Sequence, residues 1–152
     1  MSKKVWIVCG GCLITGLVIG YYAAKGRDGS VAANTMAILQ FTDMAQAEAR
    51  AIQAYKHESV PVAIYAMTEL LQRQKAAEQI GETPFLSKQI MSVDLMLTHA
   101  RLAKLYGEAG ETNLSEQHFA EALHYAEADG KPAITNRDTL MGFVEKIDKG
   151  AR

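Results

Sequence analysis

The chain has 152 residues, a formal net charge of −1 at pH 7, and hydrophobic residues at 49% of its positions. Lys and Arg are scattered among Asp and Glu and form no basic cluster, which argues against nucleic acid as a partner. The only two cysteines are Cys9 and Cys12, so no disulfide framework is expected in the residues that follow them.

The first element predicted along the chain is a membrane anchor. Residues 5–24 form an almost uncharged apolar run, VWIVCGGCLITGLVIGYYAA, after a short tail over 1–4. At about 1.5 Å per residue, a helix of this length spans roughly 30 Å, which matches the hydrocarbon core of a bilayer. The alternative is a cleavable secretory signal, but such a signal has a shorter apolar region, and Tyr22 occupies a position that needs a small residue. The run therefore predicts a single-pass transmembrane helix.

Positive charges flank both ends of this run and bear on its orientation. Lys3 and Lys4 precede it, whereas Lys25 and Arg27 follow it. Lys and Arg are retained on the cytoplasmic side, and the short first tail suits a signal-anchor that stays inside. We therefore expect a bacterial inner-membrane protein whose C-terminal domain faces the periplasm.

One face of the predicted transmembrane helix carries small residues at every fourth position. These residues are Cys12, Gly16, Gly20 and Ala24. Small side chains let helices approach closely in lipid, so this face predicts contact within a homo-oligomer or with another membrane subunit. Alternatively, the face meets only lipid, because Gly is common in such helices. Cys9 and Cys12 have no nearby His, Asp or Glu, so we predict neither a metal site nor a redox site there.

The rest of the chain predicts an all-α fold. It is rich in helix-forming residues and shows no sustained alternation of apolar and polar residues. After a linker over 25–33, we expect one domain over 34–152 with about five antiparallel helices joined by short turns. Periodicity, caps and breakers place the helices at about 35–57, 59–79, 83–110, 112–130 and from about 135 onward.

The segment 96–129, MLTHARLAKLYGEAGETNLSEQHFAEALHYAEAD, has a recognisable pattern. The pattern is carried by Leu102, Ala103, Tyr106, Gly110, Ser115, Phe119, Ala122 and Leu123. In length and spacing the segment resembles a tetratricopeptide repeat, with His99 at a position usually aromatic and Glu127 in place of the closing Pro. The resemblance implies two antiparallel helices in close contact through small residues, with Tyr106 and Phe119 filling the space towards a neighbouring hairpin.

The other helices are expected to complete a small stack of the same kind. Helices one and two are interpreted as a degenerate repeat-like hairpin, and helix five as a terminal cap, because end units of such stacks are atypical. The buried face predicted for helix five comprises Leu140, Phe143, Val144 and Ile147.

The resemblance also implies a protein-binding function. Repeats of this family bind peptides or partner domains on the concave surface formed by the first helix of each pair. Carried onto this chain, that surface comprises Leu97, Ala100, Lys104, Gly107 and Glu108. The Lys and Asn set that holds a peptide C-terminus in chaperone-binding members is absent. Lys104 and Glu108 also fit an ordinary i,i+4 surface pair, so the identity of the ligand stays open.

No catalytic, cofactor or metal site is predicted. The four histidines, His57, His99, His118 and His124, form no H-E-x-x-H motif, and the chain has neither a Gly-rich phosphate loop nor G-x-S-x-G. We therefore expect a membrane-anchored adaptor or scaffold for protein–protein interactions, and no enzyme. The alternative is an accessory structural subunit of a larger membrane complex that recruits no clients.

Overall fold

The computed structural model describes residues 30–83, 86–128 and 134–150. These residues form five α-helices and no strand: α1 (Ser30–His57), α2 (Val60–Ile80), α3 (Lys88–Glu108), α4 (Thr112–Ala128) and α5 (Arg137–Gly150). The prediction of an all-α fold is confirmed for them. The chain divides into two compact units, 1–40 and 41–152, and of the first unit only 30–40, the beginning of α1, is described.

None of the described helices combines the length and the apolar character needed to cross a membrane. The predicted transmembrane helix over 5–24 and the tail over 1–4 lie outside the described residues. The same holds for its small-residue face, Cys12, Gly16, Gly20 and Ala24.

The ends of the first two helices follow the local sequence. α1 begins at Ser30, so the last part of the linker predicted over 25–33 is helical, in keeping with the strong helix propensity of Ala32 and Ala33. Ser59 precedes α2, and a proline stands in the first turn of that helix, where its missing N–H costs no hydrogen bond. Gly81 ends α2 with a φ of 91°, a conformation that favours glycine.

The prediction that α3 begins near residue 83 is wrong. Thr83 and Leu86 exchange two backbone hydrogen bonds, with N···O distances of 3.1 and 3.2 Å. Ser87 then caps α3, because its Oγ accepts a hydrogen bond from the N–H of Ile90 at 3.3 Å. The helix therefore begins at Lys88.

α3 is the central helix of the second unit. Every residue from Leu95 to Ala103 is buried. One side of α3 shares a first core with α1 and α2, formed by Ala51, Ala63, Met67, Leu70, Leu71, Leu95, Leu102 and Leu105. The other side shares a second core with α4 and α5, whose residues include Met96, Leu97, Ala100, Ala103, Phe119, Ala122, Leu140 and Val144. A charged residue in a helix buried on all sides must find a partner within the protein.

The close contact predicted between α3 and α4 is present. Ser115 Oγ donates a hydrogen bond to the carbonyl of Ala103 at 2.7 Å, and Ala122 is fully buried beside them. Phe119 is buried in the second core, whereas Tyr106 is half-buried, packs against the first core and stacks on His118 with ring centroids 5.3 Å apart. The two aromatic residues therefore pack in different cores.

α5 contacts the rest of the unit through a narrow stripe. Leu140 and Val144 are buried, but Phe143 is half-buried and Ile147 is 40% exposed. The predicted four-residue buried face is thus wrong for Ile147, because α5 lies on its neighbours along an i,i+4 row and leaves its other faces open. Asn136 caps α5, since its Oδ1 accepts from the N–H of Thr139 at 3.0 Å.

Candidate functional site

An open cleft lies between α1, α3 and α5. Its volume is about 1090 Å³, and both walls and the floor present apolar side chains. These are Ala45, Ala49 and Ile52 from α1, Leu105 from α3, and Met141 and Val144 from α5. The α1 residues fall on one helical face, and the two alanines leave room for a bound segment to approach the α1 backbone closely.

Charged residues of both signs surround this apolar strip. They are Glu48 and Lys56 from α1, Lys104 and Glu108 from α3, and Glu145, Asp148 and Lys149 from α5. Because positive and negative groups nearly balance, the cleft does not select strongly for a ligand of one charge. The arrangement suits a segment with an apolar face and polar edges.

Lys104 and Tyr55 meet inside the cleft. The Lys104 Nζ lies 5.6 Å from the centroid of the Tyr55 ring. Burial acts to lower the pKa of Lys104, but Tyr55, Glu108 and Glu145 outweigh burial and raise that pKa above its usual value. Burial also raises the pKa of the Tyr55 hydroxyl, although Lys104 opposes this effect. Both groups therefore keep their protons at neutral pH and act as hydrogen-bond donors.

Arg101 lies beneath the end of the cleft where α5 meets α1. Its side chain is 6% exposed, and its Nη2 donates to Asp148 Oδ1 of α5 at 2.6 Å. The guanidinium carbon lies 5.9 Å from the centroid of the Tyr55 ring. Lys56 Nζ of α1 donates to the backbone carbonyl of Asp148 at 3.4 Å. The Nε of Arg101 is buried and has no hydrogen-bond partner among the described residues.

Asp94 stands two turns before Arg101 on the same face of α3. Burial raises the pKa of the Asp94 carboxyl to about 6, the negative charge of Glu48 adds to this rise, and Arg101 opposes it. The carboxyl is therefore only partly protonated near neutral pH, and its charge is influenced by Glu48 of α1 and by Arg101 of α3.

The five residues predicted to form a binding surface are placed differently from one another. Lys104 and Glu108 line the cleft. Leu97 and Ala100 are buried in the second core, which also contains Leu140 and Val144 of α5. Gly107 lies near α4, and a Cβ added there would stand 3.4 Å from Ser115 Oγ. The structure thus brings two of the five to the open cleft, while two others are buried in the core shared with α4 and α5.

A second polar cluster joins α3 to α4. The Nδ1 atoms of His99 and His118 lie 2.9 Å apart, and the Nε2 of His99 is buried without a hydrogen-bond partner in the part of the chain that the structure describes. Burial lowers the pKa of His99 to about 3, helped by His118 and by Lys75 of α2. Burial and Lys75 also lower the pKa of His118, against the opposing effect of Glu121. The pair is therefore neutral at pH 7, and one N–H is shared between the rings.

The sequence interpretation missed Arg101, Asp94 and Asp148 as members of the site. A usable signal was present, because Asp94, Arg101, Lys104 and Glu108 recur on one face of α3. An arginine inside the largely apolar segment from residue 95 to 105 must also be paired when that segment is buried. The partner on α5 carries no comparable signal, because it is 47 residues away in the chain.

Within the part of the chain that the structure describes, no group of three or more His, Cys, Asp or Glu side chains is arranged to hold a metal ion. No protein-family model matches the chain, and no curated protein and no solved structure matches it.

Proposed function

We propose that this protein is a membrane-anchored, tetratricopeptide-repeat-like adaptor that holds partner proteins through the cleft between α1, α3 and α5. The proposed anchor is the apolar run over 5–24, and the proposed position of the helical domain is the periplasmic side of a bacterial inner membrane. The observation that carries the proposal is the apolar strip of the cleft, bordered by Lys104 and Glu108.

The shape and chemistry of the cleft support a protein ligand. An apolar strip with donors and acceptors on both edges is the usual pattern of a groove that binds an amphipathic helix or peptide. Tyr55 and Lys104 keep their protons, so they serve as fixed donors to a partner and not as a nucleophile with its base. The cleft also receives residues from three helices, so a partner bound there would contact most of the second unit.

Charge reversal in the cleft tests this function. The double variant Lys104→Glu/Glu108→Lys keeps the net charge of the chain. It should reduce the amount of partner recovered from detergent extracts by about tenfold or more, because the two charged residues that α3 contributes to the cleft both change sign. A matched control is Glu111→Lys/Lys146→Glu, which exchanges charges at two exposed positions outside the cleft lining. The control should recover partners as the wild type does, and both variants should melt within a few degrees of it.

The set of recovered proteins separates the adaptor from the accessory subunit. Several substoichiometric partners, all reduced by the cleft variant, are expected for an adaptor. One fixed complex that survives charge reversal in the cleft would instead identify a subunit held through its anchor, and the proposed adaptor function would be wrong.

A further inference from the structure

α5 shares a core with part of the surface on which a partner was expected. Its two buried apolar residues, Leu140 and Val144, lie in the same core cluster as Leu97 and Ala100 of α3. These α3 residues are 9% and 0% exposed, respectively. A helix from the end of this chain therefore contributes to the core in which two residues of the predicted binding surface are buried.

Each end of α5 is held by one ion pair. Near its end, Asp148 pairs with the buried Arg101 at 2.6 Å, and at its start Arg137 pairs with Glu116 at 2.7 Å. The side chains of the second pair are 52% and 59% exposed, so solvent and salt weaken it. The Arg101–Asp148 pair is buried, so it is the pair that can distinguish α5 from another helix bound at the same place.

α5 is held to the second unit by few buried residues. Only Leu140 and Val144 are buried along its length, whereas α3 is buried on every side from Leu95 to Ala103. A helix of 14 residues is marginal by itself and depends on such contacts. Elements with few buried contacts are those that open first.

The contact between α5 and Arg101 is incomplete. Asp148 accepts a hydrogen bond only from the Nη2 of the guanidinium, while the Nε is buried and no described residue accepts a hydrogen bond from it. A guanidinium binds a carboxylate most strongly when it donates two parallel hydrogen bonds. A ligand carboxylate that reaches both Nε and Nη2 would therefore bind better than Asp148 does.

We propose that the α3 surface beneath α5 is an exchangeable helix-binding site, which accepts in place of α5 an amphipathic partner helix with apolar residues four positions apart and a Glu four positions further. The spacing is that of Leu140, Val144 and Asp148 in α5. The longer Glu side chain gives the partner the second hydrogen bond to Arg101 that α5 lacks. This inference rests on the proposed protein-binding function and names the partner's chemistry.

The covalent connection of α5 to α4 sets how strongly a partner must compete. A segment tethered by a short stretch of chain acts at an effective concentration of about millimolar. A free helix with the same contacts would lose this competition, so the additional bond to Arg101 and contacts in the vacated cleft are what favour the partner.

The test uses the full-length chain in detergent and a labelled synthetic peptide with the sequence of residues 137–150 as the stand-in partner helix. Fluorescence polarisation measures its affinity for the wild type, for Asp148→Asn and for Glu116→Gln. Loss of the buried pair should raise peptide affinity by about tenfold, whereas loss of the exposed pair should leave it near the wild-type value. Equal affinities for all three chains would overturn the proposal.

Peptide variants test the chemistry at Arg101. Against the Asp148→Asn chain, a peptide with Glu at the position of Asp148 should bind more tightly than the Asp peptide, and an Asn peptide most weakly. In the chain Arg101→Met/Asp148→Asn, which leaves no unpaired buried charge, the three peptides should bind alike. If Asn binds as well as Glu to the chain that retains Arg101, the carboxylate is not recognised.

Hydrogen exchange of the wild type provides a measurement that needs no variant. Excess Glu peptide should speed exchange of the α5 amides while the α3 amides stay protected. Unchanged protection of the α5 amides would mean that α5 is a permanent part of the core. If light scattering showed that the Asp148→Asn chain dimerises without peptide, the site would be assigned to a second copy of this chain. Either result overturns the partner-helix proposal, whereas the charge-reversal test of the cleft would still stand by itself.

Discussion

Two buried titratable residues of α3 make opposite contributions to the pH dependence of stability. His99 is 2% exposed and its pKa is about 3 in the folded protein, well below its usual value, because burial disfavours the charged ring. Asp94 has a folded pKa of about 6, above its usual value, because burial and Glu48 disfavour its charge. Between these values, acid favours the unfolded chain through His99 and the folded chain through Asp94.

The stability lost through His99 should appear as the pH falls below about 6.5, where the unfolded chain gains a proton that the folded protein does not take up. From pH 7 to 5 this costs about 2 kcal/mol, at about 1.4 kcal/mol for each pH unit. We expect His99→Phe, which keeps an aromatic ring, to remove this loss in urea titrations followed by circular dichroism. Parallel stability curves for the variant and the wild type would show that His99 titrates normally.

The complementary prediction concerns Asp94. Its folded pKa is raised, so folding becomes more favourable as the pH falls from about 6 towards 4, by about 1 kcal/mol after allowance for partial exposure. Asp94→Asn should therefore lose more stability than the wild type between pH 7 and 5, measured by the same urea titrations. A variant that loses less would mean that Arg101 holds the carboxylate ionised.

The turn between α3 and α4 shows how one element ends and the next begins. Gly110 has a φ of 82°, its N–H donates to the carbonyl of Gly107 at 3.1 Å, and the N–H of Glu111 donates to the carbonyl of Tyr106 at 2.8 Å. This is a Schellman motif, which satisfies the last carbonyls of α3. It fixes the antiparallel return of α4.

The two glycines of this turn should respond to alanine in opposite ways. Gly107→Ala should raise the free energy of unfolding by about 0.5–1 kcal/mol, because Gly107 is helical and its added Cβ would stand 3.4 Å from Ser115 Oγ, an ordinary contact. Gly110→Ala should lower it by about 1 kcal/mol, because alanine disfavours a positive φ. Urea titration of the matched pair measures both, and destabilisation by Gly107→Ala would indicate tighter α3–α4 packing.

At the scale of the whole molecule, α3 connects both cores of the second unit. Leu95 and Leu102 contribute to the first core, and Met96 and Ala103 to the second. Because one rigid helix carries both sets, loss of either core removes support from the other. The second unit should therefore unfold as one cooperative transition, with α5 opening separately below it.

The predicted anchor gives a prediction for the intact chain. We expect the protein to stay with membranes after high-salt and carbonate washes, because transfer of the apolar run over 5–24 out of a bilayer is strongly unfavourable. The double variant Ile14→Lys/Val18→Lys places two charges in that run and should release the protein into the soluble fraction. A wild-type protein found in the soluble fraction and beginning near Lys25 would identify a cleaved signal.

The sequence by itself determined the features that depend on neighbours along the chain. Helical periodicity, the Pro near the start of α2, Gly81 and Gly110 as terminators, and the small residues at the α3–α4 contact were all predicted correctly. These features involve backbone geometry and contacts within a few turns, which the local residues specify. The start of α3 was not predicted correctly. Thr83 and Leu86 pair through their backbone groups, and such a pairing has no side-chain signature in the sequence.

Only the tertiary structure decided which surfaces stay open. α3 is buried on every side from Leu95 to Ala103, so its periodicity does not reveal which face meets α2, α4 or α5. The burial of Leu97 and Ala100 in a core shared with α4 and α5, and the pairing of Arg101 with Asp148, depend on contacts between residues far apart in the chain. Such contacts follow from how whole helices pack, and for that reason the predicted binding surface is divided between the second core, the α4 side of α3 and the cleft at Lys104 and Glu108.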